Sequence, residues 1–572
     1  MTQDMRFLVV IETQKVKLYL FASPIMRETR GASVRLDWLN RNKTKKVLED
    51  EYEDRHETIY LGGGSGRILF GTKSDALSFK DKILQLYRDE TSNAKVSVEV
   101  VPKKEGEEFS EWMRRGVRES QQNKLGRVER VAFLAGRWIR PCSSCGVEAA
   151  ETVRSEFGEH WLCQSCRMKR DEINTYLYRK VKPGEGNLPR PLKDVDQIAE
   201  RYTENFIFVT LARHAEERIF LPQTFAQIGD KSRPKNYMGF IYADGNRMGE
   251  VVKHLGDRSF FSNDAEIKQA YKAFSEIVDR ATREAAVEAV LEILERFDRE
   301  LDEEKGRFLP AEFIIAGGDD LMLAVPAHNA LDVAVAFMEK FQEKSRLIQE
   351  EYVADKKLAK VFAEGGLTTS AGVVLSHASY PASDLMTLSA DLMKLAKRKA
   401  ADMAAGNPSQ ETGTLDFMVL SESGTEPVKE RRKREYVFDD DEPVICRTER
   451  PYTTADARKL LNRIRAFKAS RLPRTKLKAL YPVLFQSHFQ AQFDALRIKD
   501  RLKKTGDLEE GGELSNLIAT LHYFPFRPND SHNQEQCWTT PMTEIIELYD
   551  FIKEESNNVE TAQTPEKEAA HG

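Results

Sequence analysis

The sequence predicts an α+β protein built from two units of the same kind, and two glycine-rich hairpins carry that expectation. In the stretch from Phe313 to Val325, two short apolar runs flank Gly317-Gly318-Asp319-Asp320. From Thr58 to Phe70 the same strand, turn, strand layout encloses Gly62-Gly63-Gly64-Ser65-Gly66. Runs of this length suit buried strands, and glycine permits a reversal at positive φ while leaving room for a close backbone or phosphate. The third observation is a pair of Cys-x-x-Cys motifs lying between the two hairpins, Cys142/Cys145 and Cys163/Cys166.

With 572 residues the chain has room for about three or four domains. A net charge of -5 gives no global basic field, so any nucleic acid would be bound by local patches or jointly with other subunits. No stretch approaches the roughly 18 apolar residues of a membrane span. The first residues lack the basic flank and cleavage site of a secretory signal. The six cysteines do not make a disulfide framework, and four of them fall in the metal pattern, so a reducing, cytoplasmic setting is expected.

The first unit is expected over residues 1–105. Phe7 to Ile11 reads as a strand, and Lys15 to Phe21 as a second strand or the start of a helix. An amphipathic segment follows Gly31-Ala32-Ser33, then the glycine hairpin, a helix near 74–89 and a strand near 95–101. Its turn has glycine and serine where the later one has carboxylates, as a duplicated fold that has lost its metal site would. An unrelated glycine turn remains the alternative, since hairpins favour glycine. Residues 106–236 are expected to form a connector whose charged stretch 103–140 is helical. The cysteine pairs are separated by 17 residues (146–162), and four thiolates at such spacing complete a closed tetrahedral, structural zinc site. Arg167, Lys169 and Arg170 follow directly and read as a solvated helix start, with contact to a polynucleotide as the alternative.

The second unit is expected over 237–425. A buried strand from Met238 delivers Asp244 at its end, and Gly245-Asn246-Arg247-Met248 turns into a helix. A long helical region over 264–303, the acidic hairpin, a helix over 328–352, a strand Leu367–Leu375, a helix over 382–403 and a strand Thr414–Leu420 follow. This order is the layout of a ferredoxin-like palm. The charged segment 421–450 reads as a loop. Residues 426–555 are assigned to an all-α domain, with helices at 454–468, 473–505, 511–523 and 540–554 and Thr453 or Thr454 as the first N-cap. The polar tail 556–572 is expected to be disordered.

Asp244, Asp319 and Asp320 are the candidate site. Carboxylates fixed at strand ends offer the hard oxygen ligands that Mg²⁺ (or Mn²⁺) takes, with waters and substrate phosphates completing its shell. Gly317 and Gly318 would leave room for a nucleotide, and Gly245, Asn246 and Met248 would supply backbone donors to phosphate. On the 382–403 helix, Lys394, Lys397 and Arg398 fall on or near one face, and Lys394 or Lys397 would neutralise a triphosphate. The plain alternatives are a solvated acidic turn and ordinary surface lysines.

The chain resembles the large palm-domain subunit of type III CRISPR effector complexes, the polymerase/cyclase subunit of the Csm and Cmr assemblies. The matching residues run in the family's order: Ile11-Glu12-Thr13-Gln14-Lys15 with Gly31-Ala32-Ser33, then Gly62-Gly63-Gly64 and the four cysteines. Asp244-Gly245-Asn246-Arg247-Met248-Gly249 and Gly317-Gly318-Asp319-Asp320 come next. Ser370-Ala371-Gly372-Val373, Ala396-Lys397, and Arg450-Pro451-Tyr452-Thr453 with Leu472-Pro473-Arg474 complete the series. The resemblance implies synthesis of cyclic oligoadenylates from ATP on Mg²⁺, triggered when a complex of partner subunits and guide RNA binds target RNA. Many relatives begin with an HD-type nuclease domain. None of the ten histidines here is followed by Asp, so by this resemblance DNase activity is not expected. Some relatives carry an acidic residue where Asn246 stands. A free-standing cyclase making a dinucleotide and a non-catalytic scaffold are the competing readings. The intact acidic set argues against the scaffold, and the first unit, connector and helical domain argue against the free-standing enzyme.

Overall fold

The computed structural model describes residues 4–125, 139–155, 158–176, 178–179, 188–189, 219–297, 307–352, 365–406, 411–420, 426–438, 445–521, 525–528 and 538–553. The remainder of the connector, part of the 264–303 helical region and the expected disordered tail lie outside the described residues.

The first sheet is built on β1 (Phe7–Gln14), which pairs antiparallel with β3 (Ser65–Phe70) and β4 (Lys95–Pro102), while β2 (His56–Gly62) pairs with β3. The spatial order is β2-β3-β1-β4. Between β1 and β2 lie a short helix, Val16–Leu20, and α1 (Met26–Trp38), and α2 (Lys73–Thr91) joins β3 to β4. Lys15 to Phe21 thus holds a helix and not a strand. α2 opens on Thr72, whose hydroxyl accepts the Asp75 N–H at 3.1 Å, a standard N-cap.

The second sheet repeats the plan. Its centre is β7 (Tyr237–Gly245), flanked antiparallel by β9 (Asp320–Pro326) and β10 (Thr369–His377), with β8 (Glu312–Gly317) outside β9. Taken in order, β8-β9-β7-β10 is the same arrangement as in the first sheet, extended by β11 (Thr414–Val419), parallel to β10, and by β12 (Tyr452–Thr453). The helices are α5 (Met248–Leu255), α6 (Asp264–Phe297), α7 (Ala327–Tyr352) and α8 (Ala382–Gly406). α8 lies directly on β10 at Gly372, where an added Cβ would fall 2.1 Å from the Ser389 carbonyl oxygen.

Alternation along the central strands sets how the two units share their cores. Leu8 and Val10 of β1 join one buried cluster with Ile241 and Ala243 of β7 and the apolar stripe of α6. Val9 and Ile11 point the other way and join Phe240, Tyr242 and Met322 in a second cluster. Both cores therefore run through both sheets. A buried ion pair from Arg30 to Glu312 also crosses between the units, with Arg30 Nε donating to Glu312 Oε1 at 2.9 Å.

In the connector, α3 (Phe109–Leu125) is helical as expected, and Trp112 anchors it by donating Nε1–H to the Val101 carbonyl at 3.0 Å. A hairpin of β5 (Glu151–Ser155) and β6 (Gly158–Leu162) precedes α4 (Gln164–Tyr176).

The C-terminal part departs from the all-α expectation. Its helices are Thr454–Ala469, Arg474–Gln486, His488–Thr505, Glu513–Thr520 and Met542–Leu548. Four two-residue strands (Val437–Phe438, Ile445–Cys446, Arg527–Pro528, Trp538–Thr539) make a small sheet beside them. Strands this short carry no readable period. The expected single helix over 473–505 breaks at Ser487, whose side chain caps the next helix through the Gln490 N–H. Thr453 is the N-cap of the first helix. Within the segment read as a loop, Val428–Tyr436 is helical, held by Arg432 Nη1 on the buried Asp416 at 2.6 Å.

Candidate active site

Strand register brings the three carboxylates together. Asp244 lies near the end of β7, opposite Asp320 at the start of β9, and Asp319 occupies the β8–β9 turn beside them. Burial pushes the Asp319 carboxyl up to about 7, reinforced by the neighbouring charges of Asp244 and Asp320. Burial also raises Asp320, with Asp244 adding to the effect and Lys17 and Lys397 opposing it. Carboxylates crowded and desolvated in this way disfavour their own ionisation. A divalent cation would relieve that cost, and carboxylate oxygens are the hard donors that Mg²⁺ or Mn²⁺ takes.

The cations around this cluster come from different elements. Lys397 of α8 donates to Asp244 Oδ2 at 2.5 Å. Lys394, one turn earlier, is 61% exposed and pairs with Asp391 on its own helix. The structure thus sets Lys397 at the acidic cluster, with Lys394 bonded away from it. Tyr242 donates its hydroxyl to Asp320 Oδ1 at 2.9 Å, and Lys17 of the first unit donates to that same hydroxyl. Burial, then the adjacent Asp320, raises the Tyr242 pKa, which keeps its proton on the phenol.

One of the glycine-turn expectations needs correction. The side chain of Asn246 turns inward, donating to Thr368 Oγ1 at 3.0 Å and accepting from Ser370 Oγ at 2.7 Å. Its backbone N–H donates to the Thr368 carbonyl at 2.9 Å and is not left for a phosphate. Met248 folds its side chain over Gly245, where a Cβ would meet Met248 Cε at 2.2 Å and Asp319 Cβ at 2.9 Å. Gly245 therefore provides the space that lets Asp319 sit against the turn.

Gly317 faces a cleft, but the tip itself is packed. Gly63 of the first hairpin (φ +57°) meets it, and a Cβ there would lie 3.3 Å from the Gly318 Cα and N. Gly318 N–H donates to Asp279 Oδ1 at 3.1 Å, and its carbonyl accepts from Thr282 Oγ1 at 2.7 Å. Arg41 of the first unit clamps Asp279 through both terminal guanidinium nitrogens, Nη1 at 2.8 Å from Oδ2, and also pairs with Asp37. Beside this tip-to-tip contact runs a cleft between the units. Its lining includes Val16, Leu20 and Phe313 as apolar walls, with Asn40, Gly64 and Gly317 along it and Lys17 and Asp320 at the acidic end.

The register also gives the first unit a position equivalent to Asp244. Glu12 lies opposite Ser65 as Asp244 lies opposite Asp320. Arg67, whose side chain is 4% exposed, pairs with Glu12 at 3.1 Å. An internal arginine thus occupies the charge that a metal would need. Glu12 is legible in the sequence only as part of a strand end. Lys17, Tyr242, Arg41 and Asp279 carry no motif, because their roles arise from contacts more than 30 residues apart.

The four cysteine ligand atoms lie within 4.8 Å of one another and could hold a metal ion. Ser144 N–H and Cys166 N–H each point at a cysteine sulfur, Cys142 Sγ and Cys163 Sγ, at 3.4 Å, the local turn that aims paired thiolates inward. The basic run behind them does not read as a solvated face once folded. Lys169 is buried and donates to the Tyr19 carbonyl at 2.7 Å, and Arg170 pairs with the buried Glu28 at 2.6 Å. These two residues dock the cysteine module on the first unit.

Fold and site together define a palm domain with an acidic hairpin tip. Residues 237–405 match the family model for the second palm domain of Cas10/Cmr2, so this segment is a Cas10/Cmr2-like palm. No curated protein matches the chain. Among solved structures, the Csm1–Csm4 cassette in complex with cA4 is matched over 96% of this chain and 70% of that one, with 14% identity and a TM-score of 0.48. Csm1 in T. onnurineus gives 96% and 69% coverage, 14% identity and a TM-score of 0.46. The apo Csm1–Csm4 cassette gives 86% and 64% coverage, 14% identity and a TM-score of 0.43. Among the described residues no helix is long and apolar enough to cross a membrane.

Proposed function

We propose that this chain is a nucleotidyltransferase of the cyclase type, converting ATP to cyclic oligoadenylates as the large subunit of a type III CRISPR effector complex. The observation that carries this reading is the meeting of Asp244, Asp319 and Asp320 beside a cleft lined by both palms. The Cas10/Cmr2 match over residues 237–405 supports it. Solved Csm1–Csm4 cassettes hold cA4 and ATP, the product and substrate classes assigned here. A Csm4-like subunit is the kind of partner expected, with guide and target RNA entering through the assembled complex.

Asp244, Asp319 and Asp320 would hold Mg²⁺ or Mn²⁺. A bound ion of this kind would supply Lewis acidity, lowering the pKa of a ribose hydroxyl and offsetting phosphate charge. Tyr242 orients Asp320, and Gly245 leaves Asp319 its place in the turn. Lys397 balances Asp244 and, of Lys394 and Lys397, is the one assigned here to phosphate charge. The apolar walls of the cleft exclude water and offer a face for a base. Positioning and electrostatics of this sort supply most of the rate in phosphoryl transfer.

The test is incubation of the purified chain with each nucleoside triphosphate and Mg²⁺, with and without its partner subunits, guide and target RNA. Cyclic oligoadenylates from ATP, formed only with target RNA, are the expected result. Product made by the isolated chain would favour a free-standing cyclase, and no product in any arm would leave only a scaffold.

The cysteine module is assigned a structural zinc, since four thiolates leave no open coordination position. Replacing Cys145 by Ser is expected to abolish stoichiometric zinc in metal analysis and to expose the module to proteolysis. Palm folding should persist, because the cysteine cluster packs separately from both main cores.

A further inference from the structure

Lys17 belongs to the first palm but acts at the second. It sits on the short helix Val16–Leu20 directly after β1, and its ammonium crosses the seam to the Tyr242 hydroxyl. There it also lies 4.0 Å from the centroid of the Tyr242 ring. Through Tyr242 it is one hydrogen bond from Asp320 Oδ1. Lysine carries three N–H donors, and the Tyr242 hydroxyl is the acceptor that Lys17 has among the described residues. The remaining donors are available to the cleft, which Lys17 lines together with Asp320, Asn40 and Gly64.

This placement is unusual for a lysine with a structural task. The buried ion pairs that tie the palms together elsewhere are direct, as in Arg30 with Glu312 and Arg41 with Asp279. Among the described residues Lys17 makes no direct salt bridge, and it rests on a neutral phenol at the boundary between the acidic cluster and the apolar slot. A divalent ion on the three aspartates would cancel the negative charge that draws the ammonium toward Asp320. The ammonium would then face open space with donors to spare, next to the position where an anion bound to that ion must lie.

We propose that Lys17 is the first palm's contribution to the substrate site, its ammonium binding the polyphosphate of the nucleoside triphosphate held at the second palm's acidic tip. This inference rests on the nucleotidyltransferase reading given above. It also gives the first palm a task although its own acidic position, Glu12, is neutralised by Arg67: the second palm's nucleotide site is incomplete without it.

The test is equilibrium binding of α,β-methylene-ATP, which cannot release pyrophosphate, and of adenosine, to the full chain in its assembled complex with Mg²⁺. Lys17→Met is expected to weaken the triphosphate analogue by about 10- to 100-fold while leaving adenosine binding within about 2-fold. Lys17→Arg should restore most of the loss, and in turnover Lys17→Met should raise KM for ATP. Lys17→Gln, which keeps a donor without charge, serves as a second variant should the methionine chain be poorly soluble. Equal weakening of analogue and adenosine would mean that Lys17 only props Tyr242, and unchanged analogue binding would mean that it takes no part. Either result overturns the assignment and leaves the cyclase reading standing. Failure of the unaltered complex to bind the analogue at all overturns both.

Discussion

Replacing Asp319 and Asp320 together by asparagine is expected to abolish nucleotide condensation and, in metal-free protein above neutral pH, to raise the melting temperature. Loss of activity by about 10³-fold or more follows if positioning and charge stabilisation at this tip supply most of the rate. The gain in stability follows from the direction of the Asp319 shift. Burial and two neighbouring carboxylates raise this group to about 7, so the folded chain binds its proton more tightly than the unfolded chain does. Stability from this source is then greatest below about pH 4 and falls as the pH rises toward 7. Above that the folded protein carries the full cost of the ionised cluster, on the order of 2–4 kcal/mol, which asparagine removes. Mg²⁺ should raise the melting temperature of the unaltered chain at pH 8, much less at pH 6, and not at all in the variant. Scanning calorimetry at the two pH values, with and without Mg²⁺, checks each part. A variant less stable than its parent at pH 8, or one that keeps the Mg²⁺ shift, would show that these carboxylates do not form a metal cage.

Much of the fold was legible because it rests on local patterns. The paired glycine hairpins show up as apolar runs around turn residues, and both are hairpins in sheets of the same strand order. The acidic trio was legible for the same reason, as each member sits at a strand end or fills a turn. What escaped is what depends on distant contacts. Nothing in Gly245-Asn246-Arg247-Met248 reveals that Asn246 is tied to Thr368 and Ser370, because those partners lie more than 120 residues away. The basic run Arg167 to Arg170 looks solvated by composition, and its docking role depends on Glu28 and Tyr19 of the first unit. The two-residue strands of the C-terminal part are too short to mark the sequence, and the pairing that joins them into one sheet, Ile445–Cys446 with Trp538–Thr539, links segments far apart in the chain.

The largest structural effect is expected at Asp279, a residue of α6 that does not line the cleft. Its carboxylate accepts from Arg41 of the first unit, from Arg283 one helical turn on, and from the Gly318 N–H in the acidic turn. Burial works to raise its pKa, but Arg41 and Arg283 prevail and hold it well below the usual carboxylate range. A group depressed in this way stabilises the fold fully above about pH 4, and the contribution is lost only as the pH falls through its folded value, in strong acid. Asp279→Ala leaves two mostly buried guanidinium groups without their shared partner, and breaking such a pair from one side costs about 3–5 kcal/mol. The same change frees the Gly318 N–H, so the turn carrying Asp319 loses its anchor as well. Asp279→Asn keeps an acceptor for Gly318 while removing the charge, and so separates the two effects. Denaturant melts should rank the parent above Asn and Asn above Ala. Cyclase turnover should fall by about 10-fold or more in the alanine variant, and less in asparagine if the anchor on Gly318 matters most for catalysis. Equal turnover in all three proteins, despite a drop in stability, would mean that the palms need only be joined at this point. In that case the position of the acidic turn would be set by its own strands, without help from the first palm.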